Sequence, residues 1–200
     1  MNASSILALT IAAAATAFST SAGATVILNQ SSGIATPGKF IDFAGQAEGA
    51  NLSTVYASQG VTLTGLTATN SYGGGFAPTT APAAINFGNG AAPAISFNFS
   101  SAVSAASFYL VTNGYGTLVS SYLNGALVES FTVGSYNGAS SFQGFGNTYI
   151  DSIKFSIGGD GIALIDNLAF TKAANAVPEP GSIALLGLGL AAIGMRRRKA

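Results

Sequence analysis

The sequence predicts an all-β protein: a single β-sandwich of jelly-roll-like organisation, flanked by a signal peptide and a C-terminal transmembrane helix. Three observations predict the sandwich. Short runs such as "AISFNFS" and "IDSIKFSI" alternate apolar and polar residues, the period-two pattern of a strand with one buried face. Asn124-Gly125 stands between two further runs and is the strongest short hairpin signal, because a type I′ turn needs positive φ at both central residues. Glycine-rich separators divide the runs, and no useful stretch of the body carries a helical amphipathic period.

Residues 1–24 open the chain with "MNASSILALTIAAAATAFSTSAGA", in which an apolar stretch from Ile6 to Phe18 gives way to small residues ending in Ala22-Gly23-Ala24. This is a signal-peptide layout with cleavage expected after Ala24: the apolar segment enters the translocation site and small side chains fit the peptidase. No Lys or Arg precedes Ile6, so the terminal amine supplies the positive charge.

The extracellular domain is expected over 25–174. Its first strands are Thr25 to Leu28, Lys39 to Phe43 and Val61 to Leu66. "AISFNFS" then sets Ile95, Phe97 and Phe99 against Ser96, Asn98 and Ser100. Ser107 to Thr112 comes next, followed by the hairpin "SSYLNGALVESFTV", where Glu129 is expected to face water on the side of Leu127 and Phe131. "IDSIKFSI" opposes Ile153, Phe155 and Ile157 to Ser152, Lys154 and Ser156, and Ile162 to Phe170 closes the domain. "SYGGGFAPTTAPAA" and "GSYNGASSFQGFGN" read as loops of the kind that carry binding or mobility. No fixed-length repeat is visible, which argues against a solenoid.

Charge narrows the function classes. Only 7% of residues are charged, against roughly 25% in a typical soluble domain, so Ser, Thr, Asn and Gly must wet the surface. The formal charge of zero conceals a basic tail and an acidic body. Between Thr25 and Ala176, Lys39, Lys154 and Lys172 face Asp42, Glu48, Glu129, Asp151, Asp160 and Asp166, a net charge of −3 without arginine. Nucleic-acid binding needs a basic patch to neutralise phosphates, and this body has none to offer. The absence of cysteine and histidine excludes disulfides, thiolate clusters, Ser-His-Asp triads and imidazole-ligated metals. Catalysis would fall to carboxylates, tyrosines or lysines. No catalytic residue is assigned, and an enzyme is not expected.

Four features compete for a binding role. By alternation, Asp166 shares a face with Ile162, Leu164, Leu168 and Phe170, where a carboxylate must be paired or liganded. It is read as an acceptor of backbone N–H bonds at a sheet corner, with calcium as the alternative because that ion takes oxygen ligands; no cofactor is otherwise expected. Asp160 in "IGGDGI" reads as a turn former. Thr62 with Thr64, and Thr67 with Thr69, form two Thr-x-Thr pairs, which read as solvent-facing strand threonines because an ice-matching array needs a flat ladder across several strands. Tyr72, Phe76, Tyr109, Tyr115, Tyr136 and Phe145 lie in or beside loops; packing is their default role, and sugar stacking the alternative. A glycosidase would need two carboxylates about 5 to 9.5 Å apart, for which Asp42 and Asp166 are the conceivable pair.

Residues 175–200 form the tail. Val177-Pro178-Glu179-Pro180-Gly181 precedes an apolar or glycine segment over 181–195, and Arg196, Arg197, Arg198 and Lys199 follow. Basic residues stay on the cytoplasmic side, so the segment should stop in the membrane with the body outside. Its length and glycines suit a temporary anchor better than a permanent one, since a span takes about 20 helical residues. Pro178 and Pro180 fix their own φ and push their predecessors out of the helical region, presenting an extended peptide above the membrane. These residues together resemble the PEP-CTERM sorting domain, also called the ice-binding protein C-terminal domain, of Gram-negative bacteria. The resemblance implies export, transient inner-membrane anchoring, cleavage by exosortase near Val177, Pro178, Glu179 and Pro180, and transfer to the cell surface or exopolysaccharide matrix, with Arg196 to Lys199 as the cytoplasmic retention element.

"FIDFAGQAEGANLSTVYASQGVTLTG" and "GIALIDNLAF" resemble the opening and closing of exported domains that carry this tail, which implies a sandwich similar to carbohydrate-binding modules. The expected function is therefore a structural or adhesive surface or matrix protein. The alternative is a carbohydrate-binding module with a calcium-stabilised site.

Overall fold

The computed structural model describes residues 24–71, 79–86, 94–113, 116–134, 141–159 and 161–174. Eleven strands make up the described fold: β1 (Thr25–Gln30), β2 (Lys39–Ile41), β3 (Val61–Thr64), β4 (Thr67–Thr69), β5 (Ala83–Ile85), β6 (Ile95–Asn113), β7 (Thr117–Leu123), β8 (Ala126–Val133), β9 (Phe142–Gly146), β10 (Ile150–Ile157) and β11 (Ile162–Lys172). The only helical turn among the described residues is a 3₁₀ turn at Ala57–Gln59. No helix among the described residues is long and apolar enough to cross a membrane. The expected signal peptide, except for Ala24, and the expected transmembrane tail from 175 onward lie outside the described residues.

The expected strands 95–100 and 107–112 are one strand of 19 residues, and this strand organises the molecule. Its first half lies between β3 and β10, with Leu63 and Ile153 both opposite Phe97. Its second half lies between β11 and β9, with Ile165 opposite Leu110 and Phe145 opposite Ala106. The first sheet therefore runs β3-β6-β10-β7-β8, and the second runs β4-β5-β11-β6-β9-β1, with β2 on β11 beyond β5. Aromatic rings show that these sheets face each other. Phe97 and Phe108, on the two halves of β6, meet edge-on at 5.5 Å, and both contact Phe155 of β10, at 4.9 and 5.2 Å. Phe99 meets Phe170, and Phe131 meets Phe145, each at 5.1 Å across the layers. Such pairs add to area burial through edge-to-face contact.

The alternation in "AISFNFS" and "IDSIKFSI" predicts this core correctly, with Ile95, Phe97, Phe99, Ile153 and Phe155 all buried. The hairpin is also as expected, since Asn124 and Gly125 turn between β7 and β8 at φ 51° and 79°. Other expectations need correction. Glu129 does not stand out in water with Leu127: Val128 is an extra residue that shifts the register, and Glu129 sits half-buried opposite Ser121 on the side of Val119 and Phe131. Both segments read as loops contain strands, β5 and β9. In β9, Gly144 permits the backbone contact, because a Cβ there would lie 2.1 Å from the Ala106 carbonyl oxygen.

The centre of the second sheet, unlike β1 at its edge, is buried on both sides. Ala83, Ile85, Tyr109, Val111 and Leu164 form a second apolar cluster, with Phe142 and Ile162 packed against it. Part of the cover is the segment after β1: Ile34 N–H donates to Ser107 Oγ at 3.0 Å. A Cβ at Gly33 would crowd that hydroxyl and the Phe142 ring.

Candidate functional site

The outer face of the first sheet is polar, and strand register orders it into rows. Directly opposed residues project to the same side. One row runs Thr62, Asn98, Ser152, Tyr122 and Leu127; the next runs Thr64, Ser96, Lys154, Ser120 and Ser130; a third brings Ser156 beside Leu118 and Thr132. No carboxylate stands in any of them. A groove of about 550 Å³ crosses this face, floored by Ser96, Ser120 and Lys154 and flanked by Tyr122, Leu118 and Thr64. Lys154 Nζ lies 4.6 Å from the centre of the Tyr122 ring, a cation–π contact that fixes the ammonium over the groove. Asn98 donates to Ser96 Oγ at 3.0 Å, so part of the hydroxyl array is held in place. The alternation of "IDSIKFSI" places Lys154 outward, but its meeting with Tyr122 depends on a β10–β7 register that no local pattern specifies.

Asp166 lies in the other sheet and is fully buried. Its Oδ2 accepts the Thr80 N–H at 2.9 Å and its Oδ1 accepts the Asn167 N–H at 2.7 Å, the backbone-acceptor arrangement expected for a sheet corner. Its expected neighbours differ. Asn167 has φ 53° and the register slips between Asp166 and Ala169, so the side-chain alternation reverses there. Ala163, Ile165, Leu168 and Phe170 thus face the main core, while Asp166 keeps the outer side of Ile162 and Leu164. Its carboxyl is pushed up to about 6, chiefly by burial; the Thr80 and Asn167 hydrogen bonds oppose the rise, and the nearby Asp42 charge contributes to it. Asp42 is near enough to act electrostatically, but Asp166 is sealed from solvent and cannot line an open cleft. Among the described residues, no three Asp, Glu, His or Cys side chains gather to hold a metal.

Tyr56 completes this buried region. Burial raises its hydroxyl above the ordinary pKa of 10.0, with the Asp42 charge adding to the effect. Gln46 approaches the hydroxyl without closing a well-formed hydrogen bond, so the oxygen is buried and unsatisfied.

The remaining candidates disperse. Thr62 and Thr64 belong to the polar face, but Thr67 and Thr69 belong to β4 in the other sheet. Thr69 is not solvent-facing as expected: it is fully buried and donates to Glu48 at 3.1 Å. The two pairs therefore form no common ladder. Tyr109 and Phe145 are core residues, whereas Tyr72, Phe76, Tyr115, Tyr136 and Asp160 lie outside the described residues. So do Val177, Pro178, Glu179, Pro180, Arg196, Arg197, Arg198 and Lys199. Ala24 directly precedes β1. A second groove, of about 640 Å³, holds Tyr149, Asn147 and Thr36, and Tyr149 is 48% exposed. The sequence singles out neither Tyr122 nor Tyr149, because the hairpin signal beside Tyr122 fixes a turn and nothing around either residue marks a ring exposed on a sheet face.

Comparison with known proteins identifies a PEP-CTERM protein-sorting motif at residues 176–199. The motif marks an exported protein that is held transiently in the membrane before processing by exosortase. Comparison with curated proteins finds no match. Among solved structures, the chain is similar to variants of a family 29 carbohydrate-binding module. One is 16% identical, covering 78% of this chain and 98% of that one with a TM-score of 0.37; another is 16% identical, covering 71% and 99% with a TM-score of 0.39. A Paenibacillus cycloisomaltooligosaccharide glucanotransferase is 13% identical, covering 71% of this chain and 19% of that one with a TM-score of 0.36. Similarity at this level speaks of neither ligand nor activity.

Proposed function

We propose that the chain is a non-catalytic surface or exopolysaccharide-matrix protein of a Gram-negative bacterium, delivered by exosortase, whose jelly-roll-like sandwich acts as a structural and adhesive module. The observation that carries this reading is the sorting motif at residues 176–199. The body supports it: among the described residues, the buried carboxylate with a raised pKa, Asp166, accepts backbone N–H groups, and the open surface of the first sheet offers hydroxyls and amides. The groove beside Tyr122 favours carbohydrate as the adhesive target.

Intact-mass analysis of protein recovered from the exporting cell tests this. The expected mass begins after Ala24 and ends near Val177–Pro180. Replacement of Arg196, Arg197, Arg198 and Lys199 by glutamine is expected to abolish C-terminal maturation. A surface-located protein that keeps its tail, or a quadruple variant that matures normally, would overturn the reading.

A further inference from the structure

We propose that the outer face of the first sheet binds an acidic polysaccharide, with Lys154 pairing a sugar carboxylate and Tyr122 packing against the adjacent ring. The inference rests on the adhesive reading above and gives it a ligand class. Three observations converge. Lys154 is an exposed cation with no ion pair among the described residues, and the Tyr122 ring orients it. Around it, the rows of Ser, Thr and Asn supply donors and acceptors matched to sugar hydroxyls, while Leu118 and Tyr122 supply the apolar surface that a pyranose C–H face needs. The groove crosses four strands, β3, β6, β10 and β7, spaced about 4.8 Å apart, so it spans roughly 14 Å, which suits an extended chain rather than a small enclosed ligand.

Electrostatics selects the acidic class. The body carries a net charge of −3, so a polyanion is repelled by most of its surface. Asp42, Glu48 and Asp166 lie with the second sheet, while Glu129 and Asp151 sit toward the β7–β8 hairpin, where Asp151 accepts the Asn124 N–H at 2.6 Å. Asp151 also accepts the Ser152 hydroxyl at 3.1 Å and so marks the hairpin edge of the face, whereas the groove's own lining, among the described residues, carries the Lys154 ammonium and no carboxylate. A carboxylate there brings a countercharge to the ammonium as well as a hydrogen bond, whereas a neutral sugar hydroxyl brings the hydrogen bond alone.

The test uses the full chain purified in detergent, with polygalacturonate and a neutral β-glucan as probes in affinity electrophoresis. Polygalacturonate is expected to retard the wild type more than the glucan does, and added salt should weaken the effect. Lys154→Met keeps most of the apolar stem and should weaken polygalacturonate binding roughly tenfold, the loss of one charged hydrogen bond. Tyr122→Ala should weaken it as well, and Lys154→Arg, which keeps the charge, should retain more binding than Lys154→Met, whereas Lys172→Met and Tyr149→Ala should bind as wild type. Normal binding by Lys154→Met, stronger retention on the neutral glucan, or no retention of the wild type would overturn the proposal. Because detergent-purified protein bypasses export, these outcomes are independent of the mass measurement: correct maturation without polygalacturonate binding sinks the ligand and leaves the sorting reading standing.

Discussion

The two sheets share one core but differ on their outer faces. The first presents Thr64, Asn98 and Lys154 to solvent, whereas the second buries Tyr109, Ile85 and Leu164 beneath a further layer of chain. A sheet with one wet face can vary its outer residues at little cost, so that face is free to specialise in recognition. A sheet covered on both sides is fixed by packing, and its buried polar groups must find partners internally. Asp166 and Thr69 therefore belong to structure, while Lys154 and Tyr122 are available for a ligand.

The largest predicted effect strikes the covered sheet. Gly144→Ala sets a Cβ 2.1 Å from the Ala106 carbonyl oxygen and 2.8 Å from Ser107 Cα, and both obstacles are backbone. The β6–β9 pairing must open, so we expect a loss on the order of 3 kcal/mol or more in denaturant unfolding. A smaller pair of variants tests the contrast directly. Leu164→Ala, in the outer cluster of the second sheet and 3% exposed, should cost about 2–4 kcal/mol. Leu118→Ala, on the outer face of the first sheet and 42% exposed, should stay within about 0.5 kcal/mol. Equal losses from the two would break the comparison.

The same contrast explains what the sequence reveals. β6 before its bend and β10 have one wet face, so apolar and polar residues alternate and their inward residues can be read locally. The hairpin is legible because Asn124 and Gly125 encode their own backbone conformation. Strands buried on both faces lose that alternation: "AAI" is uniformly apolar and "FQGFG" is glycine-rich, so β5 and β9 look like loop. In β11, one left-handed residue, Asn167, reverses the faces, and nothing in the period announces it. The sorting tail is legible because its recognition reads linear sequence. The groove is not, because Lys154 and Tyr122 lie 32 positions apart and meet only through the sheet register.

Asp166 makes the comparison titratable. Its folded-state pKa of about 6 lies above the ordinary 3.8, so folding favours the protonated carboxyl. That stabilisation is fully present below the unfolded value and is lost as pH rises through the folded one. Asp166→Asn removes the titration while leaving one side-chain acceptor for the two N–H groups. Relative to this variant, the wild type should lose stability between about pH 4 and 7, measured by urea unfolding across that range. A pH-independent difference would mean that Asp166 is solvated after all, and the covered face would then be less sealed than its apolar cluster implies.

Tyr56→Phe carries a small effect of the opposite sign and sharpens the same point. The hydroxyl is buried without a hydrogen bond, so its desolvation is uncompensated, and the ring contact with Phe43 at 5.6 Å does not need the oxygen. Deleting it should leave stability unchanged or raise it by about 1 kcal/mol. A loss of that size instead would show that Gln46 or Asp42 holds the hydroxyl in solution. The buried side of the molecule would then contain a connected polar network reaching toward Asp166, and Asp166→Asn and Tyr56→Phe would combine non-additively in a double-mutant cycle.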